Sequence, residues 1–161
     1  FEEPLTSTSA VDCTPYKHHI LTGVVNTFYG TKVNSKVKFV ANAQPSFVKF
    51  FNTINYEGDA NWKVSSISTD TDTGYTIAKY GILQTTTDFT NSYFKNQFYK
   101  QDNKYFAWIK NVTTQGEGEI LYGNNHEISG LKGFFATVEM ENEANTKEEL
   151  FAVGFNIEKI T

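Results

Sequence analysis

The sequence predicts an all-β fold: an antiparallel β-sandwich carrying one short helical turn. Two observations lead there. Near the C-terminus, apolar residues recur at every second position in two long runs, the period of a half-buried strand. Along the rest of the chain, several short strand-like stretches follow one another at roughly 8–15-residue spacing, broken by Gly and Asn turn signals, a spacing that favours a sandwich or barrel over a parallel α/β fold. The 161 residues amount to about one domain, long enough to bury its own core without staples.

The elements are expected in this order. Residues 1–21 form an N-terminal arm or linker, since Phe1 to Pro15 is rich in Ser, Thr and Pro with weak periodicity. Residues 22–161 form a single β-sandwich domain. Val37 and Phe39 alternate with Lys36 and Lys38, a half-buried strand. Phe47, Phe50, Phe51 and Ile54 stand at i, i+3, i+4 and i+7 after Pro45, the pattern of one or two helical turns. A strand is expected from Trp62 and Val64 to Ser68, and Tyr75 to Leu83 is β-rich but alternates poorly. Tyr93 to Tyr99 and Tyr105 to Ile109 flank Asp102-Asn103, a hairpin turn. In the second of these, Tyr105, Ala107 and Ile109 share one face and Phe106 and Trp108 the other, so both faces are apolar and the strand is expected either to be buried on both sides or to cover a partner.

The strongest signal comes last. Phe134, Ala136, Val138 and Met140 alternate with Phe135, Thr137, Glu139 and Glu141. Phe151, Val153, Phe155 and Ile157 alternate with Ala152, Gly154, Asn156 and Glu158. Joined by the polar stretch Asn142 to Glu149, the runs predict an antiparallel hairpin, Gly133–Glu141 against Leu150–Ile160. Phe134, Val138, Phe151, Val153 and Phe155 are expected to be buried together, with Glu143, Lys147, Glu148 and Glu149 solvated.

Composition excludes several function classes. The formal net charge is -4 and all 14 basic residues are Lys, with no Arg. A nucleic-acid reader wants a basic face and bidentate Arg contacts, so specific nucleic-acid binding is not expected. The single cysteine, Cys13, excludes a disulfide scaffold and a multi-cysteine metal site. No run reaches 18 apolar residues, so no membrane-spanning helix is expected. The chain begins at Phe1 without an initiator Met or a signal-peptide pattern, so the expectation is either that a segment has been removed or that this is a piece of something longer.

Asp70-Thr71-Asp72-Thr73-Gly74 resembles the opening of a calcium loop, where alternate carboxylates converge on one hard cation. Its distal glutamate is missing, the place falling at Gly81, so the stretch reads as a polar surface loop. His18 and His19 are adjacent and point to opposite faces of an extended segment; with Cys13 and the distant His126 they make a poor zinc set. No nucleophile elbow occurs. Gly116-Glu117-Gly118 is no phosphate loop, since the glutamate would repel the phosphate. Asn111-Val112-Thr113 fits the glycosylation triplet, which is common by chance. Trp62, Trp108 and the tyrosines could stack sugars, or could belong to the core and to an interface. No catalytic, cofactor-binding or metal-ligating residue is therefore expected, and no cofactor.

Several stretches together resemble a known family. Thr27-Phe28-Tyr29-Gly30 is followed by Val37-Lys38-Phe39-Val40-Ala41-Asn42 and Pro45. Then come Val48-Lys49-Phe50-Phe51-Asn52-Thr53-Ile54-Asn55-Tyr56-Glu57-Gly58, Tyr105-Phe106-Ala107-Trp108-Ile109, Leu131-Lys132-Gly133-Phe134-Phe135 and Glu149-Leu150-Phe151-Ala152-Val153. From Thr22 to Thr161 the series is similar to the C-terminal region of the muzzle, or tail stabilisation, proteins of crAss-like podoviruses. The resemblance implies a non-catalytic structural part of a bacteriophage virion, at the distal tail. Its partners would be other tail proteins and copies of itself around the DNA exit channel, and this chain would be the C-terminal part of a longer virion protein. The motifs are hydrophobic and structural, and no catalytic residue carries over. Two rivals remain: a carbohydrate-binding or adhesin module, favoured by exposed Trp and Tyr rings, and a small β-fold glycosidase, favoured by two facing carboxylates about 5–10 Å apart.

Overall fold

The computed structural model describes residues 25–28, 31–81, 96–111 and 130–160. Over these residues the chain is all β, with no helix. The strands are β1 (Thr27–Phe28), β2 (Thr31–Lys32), β3 (Ser35–Ala41), β4 (Lys49–Gly58), β5 (Trp62–Thr69), β6 (Tyr99–Gln101), β7 (Lys104–Trp108), β8 (Leu131–Gly133), β9 (Ala136–Asn142) and β10 (Leu150–Lys159). β1 and β2 pair alone; β3, β9 and β5 form a three-stranded sheet in that order. A five-stranded sheet runs β10-β4-β7-β6, with β8 also on β4. Every strand pairing is antiparallel.

The inner faces of the two larger sheets share one core. β9 contributes Ala136, Val138 and Met140; β5 contributes Trp62, Val64 and Ile67. From the other sheet come Phe51, Ile54 and Tyr56 of β4, Tyr105 and Ala107 of β7, and Leu131 of β8. Burying one such side chain stabilises the fold by about 1.5–3 kcal/mol. Phe39 of β3 meets Phe155 of β10 across the layers, ring centroids 6.2 Å apart. The alternation predicted for β3 holds, with Lys36 and Lys38 exposed and Val37 and Phe39 half-buried. So does the inner face of β7, where Tyr105, Ala107 and Ile109 are all buried.

Four sequence expectations are corrected. The C-terminal runs are both strands but not a hairpin. β9 pairs with β3 and β5, while β10 pairs with β4 in the other sheet. The Asn142–Glu149 linker therefore crosses between layers, as do the links from β3 to β4, β4 to β5 and β8 to β9. Among the described residues, β6 and β7 are the only consecutive strands of the larger sheets that pair as a hairpin; they turn at Asp102-Asn103, with Gln101 opposite Lys104 and Asp102 at a φ of 52°.

Second, the five residues expected to be buried together are not: Val138 is buried and Val153 and Phe155 half-buried, but Phe134 and Phe151 are exposed. The cause in β10 is a register shift between Leu150 and Ala152, which leaves Phe151 as an extra residue. Leu150 and Val153 therefore both face the core although they differ by three.

Third, the helical turn is absent. The spacing of three between Phe51 and Ile54 also comes from a bulge. Asn156 pairs with Thr53 and Ile157 with Phe51, so Asn52 is unmatched and both apolar residues point inward from one strand. Pro45 sits instead in a turn where the Phe47 N–H donates to the Gln44 carbonyl at 3.2 Å. Fourth, Tyr75 to Leu83 supplies no full strand in its described part, only bridges such as Ile77 to Val64. The expected arm over residues 1–21 and the start of the Tyr93–Tyr99 stretch lie outside the described residues.

Candidate functional site

The Asp70–Gly74 stretch resembles the opening of a calcium loop but reads as a polar surface loop, and the structure gives its oxygens work on the backbone. β5 ends at Thr69, and the turn after it lies along the edge of β8. Asp72 Oδ2 accepts the Lys132 N–H at 2.9 Å, and Asp70 Oδ1 accepts the Phe134 N–H at 2.8 Å. The hydroxyls of Thr69 and Thr71 each donate to the Lys132 carbonyl at 2.6 Å. Inside the turn, Thr69 Oγ1 accepts the Asp72 N–H at 2.9 Å, which holds the carboxylates in place. Side chains thus supply β8 with the hydrogen bonds a neighbouring strand would give. Gly133 permits the approach, because a Cβ there would collide with Asp70 Oδ1 and stand 2.6 Å from Thr69 Cβ. Among the described residues no group of three or more His, Cys, Asp or Glu is arranged to hold a metal. Cys13, His18, His19, Gly116–Gly118 and His126 lie outside the described residues. Asn111 is buried.

The two tryptophans part company. Trp62 is 7% exposed, and its indole N–H donates to the Glu149 carbonyl at 3.3 Å. Nearby, Tyr56 stacks on Tyr105 with centroids 4.8 Å apart and takes Phe98 edge-on at 4.7 Å. Burial first, then the neighbouring Tyr105, pushes the Tyr56 phenol above its usual 10.0, so it stays protonated. Trp108 lies on the outer face of the five-stranded sheet and is 44% exposed. Phe106 precedes it by two residues on that face, paired with Tyr99 on one side and Asn55 on the other.

The ends of the sandwich differ in chemistry. Where β3 and β5 begin and β4 and β9 finish, charges interlock. Lys36 reaches Glu139 at 3.4 Å, Lys63 reaches Glu141 at 3.6 Å and also pairs with Glu143, and Lys104 meets Glu57 at 2.7 Å. A hydrogen bond from Asn34 at 2.7 Å and then the charges of Lys63 and Lys36 hold the Glu141 carboxyl below its usual range, outweighing the opposing effect of burial. At the opposite end, exposed Phe47, Phe50, Phe134 and Phe135 ring the links from β3 to β4 and from β8 to β9. There Lys159 Nζ sits 3.6 Å from the centre of the Phe47 ring. Lys49, only 2% exposed, donates to the carbonyls of Gln44 at 3.2 Å and Phe47 at 3.4 Å, which satisfies its buried ammonium.

Sequence reading singled out Trp62, Trp108 and the Asp70 loop but missed the phenylalanine rim. Its signal was the Phe-Phe pair at 134–135 beside a turn, masked there by the assumption of continuous alternation.

These features define a class: an antiparallel two-sheet β-module with a ring of exposed aromatics at one end and ion pairs at the other. The Crassvirus muzzle protein C-terminal domain family matches residues 23–112, more than half of the chain, and the chain belongs to that family. It is thus a domain of a bacteriophage structural protein and a component of the virion, where other virion proteins are its neighbours. No curated protein matches it. Among the described residues no helix is long and apolar enough to cross a membrane.

Proposed function

We propose that this chain is the C-terminal part of a longer virion protein at the distal tail. Residues 22–161 form its single β-sandwich, entered through the arm of residues 1–21. It works without catalysis, packing against other tail subunits and copies of itself around the DNA exit channel. The family match over residues 23–112 carries this reading. The exposed Phe47, Phe50, Phe134 and Phe135 support it, because aromatic area is what a packing surface needs. The carboxylates of Asp70 and Asp72 are turned to backbone N–H groups, as a structural role requires. The small net charge of -4 would weakly repel DNA and leave its path free. A density map of the intact particle tests the reading. The chain is expected at the tail tip in contact with other subunits; a position on the capsid shell, or no subunit contact, would overturn it.

One observation favours a second reading, a carbohydrate-binding module: Trp108 is exposed on a sheet face beside Phe106 and Tyr99. The burial of Trp62 opposes it. Trp108→Ala would abolish binding to host-cell polysaccharide under this reading and leave particle assembly intact.

A further inference from the structure

We infer that the outer edge of β10 is a pairing surface for a second copy of this chain, which joins it through its own β10 and extends the five-stranded sheet. A bare strand edge presents unpaired N–H and C=O groups that only water or another strand can satisfy, and natural proteins blunt such edges. In the two larger sheets the other edges are each blunted differently; β1 and β2 pair apart from them and are only two residues long each. β3 carries exposed Lys36 and Lys38. β5 has a register shift between Val64 and Ser66 and is bridged by Ile77 and Thr73. β6 is three residues long and includes Lys100. β8 is closed by Asp70 and Asp72.

β10 is different. It is ten residues long, and no strand among the described residues lies on its far side. The bulge at Phe151 ends its regular part at one end, and Glu158 and Lys159 stand at the other. Between them, Ala152, Val153, Gly154, Phe155, Asn156 and Ile157 carry no charge. Ala152, Gly154 and Asn156 share the outer face with Glu57, Asn55 and Thr53 opposite them, and are small or neutral. Val153, Phe155 and Ile157 point inward yet remain only half-buried, with no strand among the described residues flanking them on that side.

These facts select the occupant. A second copy has its own β3, β5, β6 and β8 edges blunted in the same ways, so β10 is the edge it offers. A two-fold axis normal to the sheet runs the two strands antiparallel and keeps both inner faces on the same side. The uncharged stretch then lies across itself, and each copy covers the other's half-buried Val153 and Phe155. The inference does not depend on where in the virion the chain sits.

Sedimentation of the 161-residue chain over about 5–500 µM is the test, a range suited to a small, weak interface. A monomer–dimer equilibrium is expected. Replacing both Ala152→Lys and Asn156→Lys, at exposed outer-face positions, should weaken it at least about tenfold by gathering like charges at the seam. Ser66→Lys, exposed on the other sheet, should leave it unchanged. If the double variant fails to fold, amide exchange on the unaltered chain decides. Amides in Ala152–Ile157 should slow about tenfold from the lowest to the highest concentration, and those of β3 should not. A monomer throughout, a dimer that survives the double substitution, or exchange independent of concentration would overturn the inference.

Discussion

β9 and β10 read alike as sequence and play unlike parts in the structure. Each alternates apolar and polar residues over four periods. β9 lies in the middle of its sheet, every residue flanked on both sides, and its inward Ala136, Val138 and Met140 are wholly buried. Among the described residues β10 lies at an edge with one neighbouring strand, and its inward Val153, Phe155 and Ile157 are only partly buried. The bulge at Phe151 then reverses the phase of its first turn and leaves that ring 70% exposed. Alternation reports that a strand has two faces. How deeply the apolar face is buried depends on how many strands flank it, and topology decides that number.

Substitutions sharpen this contrast. The largest effect is expected at the centre of β9, where Met140→Ala leaves a cavity and should cost about 2–5 kcal/mol in urea unfolding. On the inward face of β10, Val153→Ala should cost about 1–2 kcal/mol, since less area leaves water there. Equal losses at the two sites would erase the distinction between centre and edge.

The next effect belongs to the outer face of β9. Glu141→Gln should cost about 0.5–1.5 kcal/mol at neutral pH. The Glu141 carboxyl ionises more readily folded than unfolded, held down first by Asn34 and then by Lys63 and Lys36. Its contribution is present above the usual value of 4.5 and is lost as pH falls through the lower folded value. Melting curves of the wild type and Glu141→Gln should therefore converge as pH falls below the usual 4.5 and through the lower folded value. The partner Lys63 is raised above 10.5, first by its hydrogen bond to Glu143, so its contribution holds below 10.5 and fades as pH rises past the raised value. The smallest effect is expected at the bulge itself: Phe151→Ser should move monomer stability by no more than about 0.5 kcal/mol, measured at low concentration. A loss of several would mean that the ring is packed.

The fold class and most strand positions were legible because β3, β7 and β9 keep strict period two, with Lys36, Lys38, Glu139 and Glu141 marking the outer faces. Legibility failed at the bulges. One unmatched residue at Asn52 turned Phe51 and Ile54 into an apparent helical spacing, and one at Phe151 hid the phase of β10. Nothing local distinguishes a bulge from a change of period, because the partner strand defines it. The pairing of β9 with β10 failed for a related reason: adjacency in sequence was taken for adjacency in the sheet. The Asp70 loop was recognisable as a set of converging oxygens. Its real partners, the N–H groups of Lys132 and Phe134, lie some sixty residues away and carry no side-chain signature.

The crossing links also bear on how the chain comes to fold. Among the described residues β3 and β5 have no partner strand in their sheet other than β9, and β4 waits for β7, β8 and β10. Contacts between segments this far apart require long loops to close first, which places such a fold among the slow ones, in the millisecond-to-second range. β6 and β7, joined by Asp102-Asn103, are the one pair of described strands in the larger sheets able to zip locally. During synthesis β3 and β5 emerge long before Asn142 completes the strand that lies between them. For that interval their edges lack β9, and the charges of Lys36, Lys38 and Lys63 disfavour pairing with a neighbouring chain, since like charges set side by side on adjoining strands repel.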